Sequence, residues 1–95
     1  MKIRTQIVAE QTSNEVVQKI GNAWGFPPEL LANAHHFIWI TLYDEQDAIG
    51  LVAAFPQHPA KRGAGLVIEY MFWNPRESAR RKLEAAVTFM RAIPA

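Results

Sequence analysis

The sequence predicts an α+β domain, a small and mostly antiparallel sheet with helices packed on it, in the order β-α-α-β-β-β-α. Three observations carry that prediction. Aromatic and β-branched residues crowd into two central stretches, 37–44 and 48–55, joined by a polar turn, as in a hairpin. A third apolar stretch, 65–73, follows a loop holding Pro56, Pro59 and Gly63. Helix-period patterns with start and stop signals lie before and after this central block. A hairpin flanked by helices is a layered α+β arrangement.

The elements follow in order. Ile3, Ile7 and Val8 mark a first strand over roughly 2–9. Thr12-Ser13-Asn14-Glu15 has the form of a capping box, a hydroxyl at the cap and a carboxylate three residues on. It opens a helix with Val16, Val17 and Ile20 on one face, and Gly21 is expected to stop it. Gly25-Phe26-Pro27-Pro28 breaks the chain, because neither proline donates a helix hydrogen bond. Pro28 then starts a short helix through Glu29–Ala34. Strands follow at 37–44, 48–55 and 65–73, with Asp44-Glu45-Gln46-Asp47 as the hairpin turn. Asn74-Pro75 ends the last strand, and Arg76–Arg91 reads as a long helix whose Ala79, Leu83, Ala86, Val87 and Met90 are expected to face the sheet.

Ninety-five residues, 49% of them hydrophobic, fit one domain spanning 1–95 with one core. The absence of cysteine excludes a disulfide framework and a thiolate metal site. The opening Met1–Gln6 carries charges and no apolar stretch, so no secretory leader is expected. No apolar run approaches the roughly 20 residues of a membrane span. These features point to a soluble, cytoplasmic or virion-associated protein that is not secreted. Net charge is +1, but residues 1–60 carry three basic and six acidic groups, whereas 61–95 carry seven basic and three acidic. The C-terminal third is the face for an anionic partner, or simply a solvated helix surface.

Few residues carry chemistry. Glu69 is the only charged residue in the apolar stretch 66–73. Burial there would desolvate the carboxylate and raise its affinity for a proton, the property of a general base. On a period-2 strand it can equally face solvent or pair with an arginine. His35 and His36 are adjacent, and neighbours on a helix or strand point apart, so no metal site is expected. His58 lies in the loop before the Glu69 strand, where it can approach a ligand or be a plain loop residue. Arg76, Arg80 and Lys82 form a basic stretch interrupted by Glu77 and Glu84, with no nucleic-acid module around it; nucleic-acid binding is not expected. Most of Trp24, Phe26, Phe37, Trp39, Phe55, Phe72 and Trp73 are expected in the core. If 65–73 has no outer neighbour, its edge at Tyr70–Trp73 needs covering, by homo-oligomerisation or by a protein partner.

The run Ile49-Gly50-Leu51-Val52-Ala53-Ala54-Phe55, then Leu66–Pro75, then a helix with Leu83-Glu84-Ala85-Ala86, resembles the core of the GNAT acyltransferase superfamily, most of all its small phage-encoded members and internal virion proteins. The likeness covers about residues 37–91 in pattern, with only the element order agreeing earlier. It implies a GNAT-like fold, acetyl-CoA as a possible cofactor, and Glu69 as a base acting on an amine through water. The departures are specific. The family's pyrophosphate loop, Arg/Gln-x-x-Gly-x-Gly/Ala, is replaced by Arg76-Glu77-Ser78-Ala79-Arg80-Arg81-Lys82, without a glycine to let backbone N–H groups approach phosphate. Side chains of Arg76, Arg80 and Arg81, with Trp73 and His58 beside them, are the candidate substitutes. The strand and helix that would complete the cofactor cleft do not follow Ala95. Two readings result. One is a GNAT-like domain that has lost acyl-CoA binding and works through protein interaction. The other is a minimal enzyme using Glu69 in a cleft shared between subunits.

Overall fold

A computed structural model describes residues 7–44, 47–56 and 66–92. The order is β1 (Ile7–Thr12), α1 (Asn14–Trp24), α2 (Pro28–Ala32), a 3-10 turn (Ala34–His36), β2 (Ile38–Asp44), β3 (Asp47–Pro56), β4 (Leu66–Trp73) and α3 (Ala79–Ala92). The expected α+β class and element order hold, and the four strands form one antiparallel sheet in the order β1-β2-β3-β4. His58 and the centre of the hairpin turn lie outside the described residues.

Local signals were displaced by a residue or more. The cap of α1 is Ser13, whose hydroxyl accepts from the Val16 N–H at 3.4 Å. Thr12 remains in β1, where its hydroxyl is hydrogen-bonded to that of the fully buried Thr41. A buried hydroxyl needs a partner, and that need outweighs the capping position. Gly21 does not stop α1. The helix runs on to Trp24 and ends at Gly25, the residue in left-handed backbone (φ 78°) that glycine adopts without strain. Gly21 is buried instead, because a Cβ there would stand 2.5 Å from Leu31 Cδ2 and 2.9 Å from Phe26 Cδ2. It is a packing glycine. The second helix ends at Ala32, short of the expected Ala34, where Asn33 Nδ2 donates to the Glu29 carbonyl at 2.9 Å and the chain tightens into the 3-10 turn. The Trp39 indole N–H fixes that turn on the Ala34 carbonyl at 2.8 Å.

The sheet is covered on both faces. On one, Val17, Ile20 and Trp24 of α1 and Leu30 of α2 pack with Ala34, Phe37, Trp39, Leu51, Ala53 and Phe72. On the other, Ala85 and Phe89 of α3 pack with Ile7, Ile40, Leu42, Ile49, Val52, Ile68, Met71 and Trp73. The β2–β3 hairpin lies between both layers, which is why Ile49 and residues 51–54 read as an unbroken apolar run and are all fully buried.

One expectation fails in a way that matters below. Leu83, Val87 and Met90 do not face the sheet but are exposed, and Ala79 is exposed with them; the sheet side belongs to Ala85 and Phe89. The helix also begins three residues later than expected. Ser78 caps it by accepting from the Arg81 N–H at 3.2 Å.

Gly21→Ala provides a test of the α1–α2 contact. Helix propensity alone favours alanine by about 1 kcal/mol. Crowding against Phe26 and Leu31 outweighs it, for a net loss of about 1–2 kcal/mol in chemical denaturation.

Candidate functional site

Two irregularities shape the end of the sheet where β3 and β4 meet. Leu42 pairs with Gly50 and Tyr43 with Ala48, so Ile49 is an extra residue in β3. Its carbonyl turns to accept from the Asn74 N–H at 2.8 Å, anchoring the connection that follows β4. On the far side of β3, Ala53 pairs with Tyr70 and Ala54 with Ile68. Glu69 therefore stands opposite no residue. It is the extra residue of a β-bulge, a feature that bends a strand and re-aims the side chain it carries. Glu69 is exposed, so the desolvated setting expected from its apolar neighbours in sequence is not the one it occupies. The bulge breaks the alternation that would have placed it on one face or the other.

The Asn74–Ser78 connection, between β4 and α3, is held by hydrogen bonds of its own. Asn74 Oδ1 accepts from the Arg76 N–H at 3.0 Å, the Asn74 carbonyl accepts from the Glu77 N–H at 3.0 Å, and Asn74 Nδ2 donates to the Ala48 carbonyl at 3.0 Å. Ser78 then takes the Arg81 N–H through its hydroxyl and the Lys82 N–H through its carbonyl at 3.1 Å. The N–H groups of Arg76, Glu77, Arg81 and Lys82 are thus taken by side chains and carbonyls of the connection itself.

The three arginines are placed differently. Arg76 is exposed beside the turn. Arg80 is 84% exposed and lies 3.6 Å from Glu84, one helical turn on. Arg81 is turned inward. Its guanidinium is ion-paired with Asp44 at the end of β2 and lies within 3.9 Å of Glu77 and 3.7 Å of Glu84. The Asp44 side chain is buried, and among the described residues its Oδ1 has no hydrogen-bond partner. Asp44 reads in the sequence as a turn residue. Nothing in its neighbours signals that a helix 37 positions later would supply its counter-ion.

Trp73 is half-buried against the α3-side core, and its ring lies over Gly50: a Cβ there would come within 2.9 Å of Trp73 Cε3 and Cζ3 and 3.2 Å of the Phe72 carbonyl. Trp73 thus closes the strand–helix junction. Glu69 is four residues away, about 13 Å along the strand, so it and the arginines do not form one constellation.

The remaining feature is β4 itself. It pairs with β3 on one side, and among the described residues no strand lies on the other. Val67 and Tyr70 are 50% and 45% exposed there. Tyr70 ends an aromatic wall running inward through Phe72 and Phe26, at 5.8 and 4.3 Å between ring centroids, and through Phe37 and Phe55, at 5.9 and 4.9 Å. The rings of His35 and His36 lie 4.1 Å apart rather than pointing away from each other, yet among the described residues no group of three metal-ligating side chains exists. Also among the described residues, no helix is long and apolar enough to cross a membrane.

No protein-family model matches this chain, nor does any curated protein or solved structure.

Arg81 and Arg80 separate by mutation. Arg81→Met leaves Asp44 buried without its counter-charge and costs about 2–4 kcal/mol in urea denaturation. Arg80→Met, at a solvated pair, changes stability by no more than about 0.5 kcal/mol.

Proposed function

We propose that the chain is a GNAT-like domain that has given up acyl-CoA binding and acts through protein interaction at the open edge of β4, in a phage-related setting. Support for the GNAT-like reading is the antiparallel order β1-β2-β3-β4 with α1 and α2 on one face and α3, which follows β4, on the other. Support for the loss of acyl-CoA binding is the Asn74–Ser78 connection, which lacks glycine and takes the Arg76, Glu77, Arg81 and Lys82 N–H groups on its own acceptors, and the commitment of Arg81 to Asp44.

The observation that carries the proposal is the edge. Among the described residues, alternate residues of the eight-residue β4 present unpaired backbone groups on one side, and no lysine, proline or inward-pointing charge within the strand blunts them. Leu66–Trp73 holds a single charge, Glu69, and the bulge turns it out to solvent. A strand added there gains main-chain hydrogen bonds and covers Val67 and Tyr70.

The enzyme reading rests on the bulge. An exposed carboxylate on a kinked edge strand is available to a substrate, and a second subunit against β4 would wall the cleft. On that reading Glu69 is the base and acetyl-CoA the cofactor.

Calorimetric titration with acetyl-CoA decides between them. The interaction reading expects no saturable heat and no change in melting temperature. Saturable binding, together with an activity lost in Glu69→Gln while the fold is kept, overturns it in favour of the enzyme.

A further inference from the structure

Helix α3 is apolar on two opposite sides. At 3.6 residues per turn, Ala85 and Phe89 define the buried side, and Leu83, Val87 and Met90 fall within about 60° of one another on the side facing away from the sheet. They are 66%, 40% and 62% exposed. A helix of a globular domain ordinarily carries one apolar stripe and a polar outer face. Three large side chains aligned on the outer face are a helix-packing surface on which, among the described residues, no helix lies.

The spacing and the flanking charges say what fits. Leu83, Val87 and Met90 are four and three residues apart, so the stripe is nearly symmetrical about Val87. A second α3 laid antiparallel about a two-fold axis there sets Leu83 against Met90 of the second copy, Val87 against its counterpart, and Met90 against Leu83 of the second copy. Such an axis also brings the same flank of each helix together. One flank carries Arg80, Glu84 and Arg91, all exposed and on the same side of the stripe, with Glu84 lying 3.6 Å from Arg80 of its own helix. In the antiparallel register Glu84 comes within about 2–3 Å, along the helix axis, of Arg91 of the second copy, and the two-fold repeats the pair. Opposite charges meet on that flank. In a parallel pair the two-fold would set opposite flanks together, so Glu84 and Arg91 would lie on opposite sides of the seam from their counterparts and this pairing would be lost.

We infer that the outer face of α3 is a self-association surface, on which a second copy of this chain packs its own α3 antiparallel, with Leu83, Val87 and Met90 as the seam and Glu84–Arg91 as reciprocal ion pairs. The inference rests on α3 alone and is independent of what occupies the β4 edge. Three large residues per helix form a small interface, so the association is of micromolar strength or weaker, exchanging and concentration-dependent.

Sedimentation velocity on the full 95-residue chain across the micromolar range tests it. The parent chain passes from monomer to dimer with concentration. Val87→Arg, which places two like charges at the two-fold, weakens the dimer about tenfold or more, with circular dichroism and melting temperature unchanged because Val87 does not touch the core. Glu84→Arg and Arg91→Glu each weaken it singly, and the double variant recovers the parent's association, which a merely structural role for either residue would not produce. A chain that stays monomeric throughout, as it would if the stripe belongs to a different protein, overturns the inference. So does a dimer that survives Val87→Arg but is lost in Val67→Lys, since that assigns the interface to β4.

Discussion

The ion pair between Asp44 and Arg81 fixes how α3 sits. A helix with two apolar sides can lie on a sheet in two ways, and hydrophobic burial alone barely distinguishes them. Leu83, Val87 and Met90 together offer as much apolar area as Ala85 and Phe89, or more. A carboxylate buried at the end of β2 does distinguish them, because an uncompensated charge there costs several kcal/mol. Arg81 meets it only with Ala85 and Phe89 turned inward. Everything outward on α3 follows from that choice.

The junction between β4 and α3 is held by several modest contacts acting together. The Ile49 bulge turns a carbonyl toward Asn74, Asn74 organises the turn, Ser78 caps the helix, and Trp73 lies over the bare backbone of Gly50. Each satisfies a backbone group or fills a gap the previous one creates. Side chains and carbonyls of the connection thereby hold the N–H groups of Arg76, Glu77, Arg81 and Lys82.

Most of the architecture was legible in the sequence because strand and helix periods are local. The order of elements, the central hairpin and the apolar β4 all follow from residue type and spacing. What was not legible depends on distant partners. The capping hydroxyl moved from Thr12 to Ser13 because Thr41, far along the chain, claims Thr12. Gly21 is a glycine for the sake of Leu31 and Phe26, not to end a helix. The inward side of α3 was misjudged because its two stripes have nearly equal apolar character, and the deciding residue, Asp44, looks like an ordinary turn aspartate. The apolar neighbours of Glu69 point to a desolvated carboxylate, but it takes the solvent-facing alternative, at a bulge that strand periodicity cannot see. His58, read as near a ligand or as a plain loop residue, lies outside the described residues.

The bulge at Glu69 also bears on why an open apolar edge need not be a hazard. Fibrillar stacking demands a flat strand with an uninterrupted row of backbone groups, identical from one copy to the next. An extra residue in mid-strand sharpens the local twist and divides the edge into two short runs, 66–68 and 70–73, that are out of phase with each other. A uniform strand can satisfy one run or the other but not both. The same kink that displaces a carboxylate into solvent thus works against endless repetition of the edge on itself.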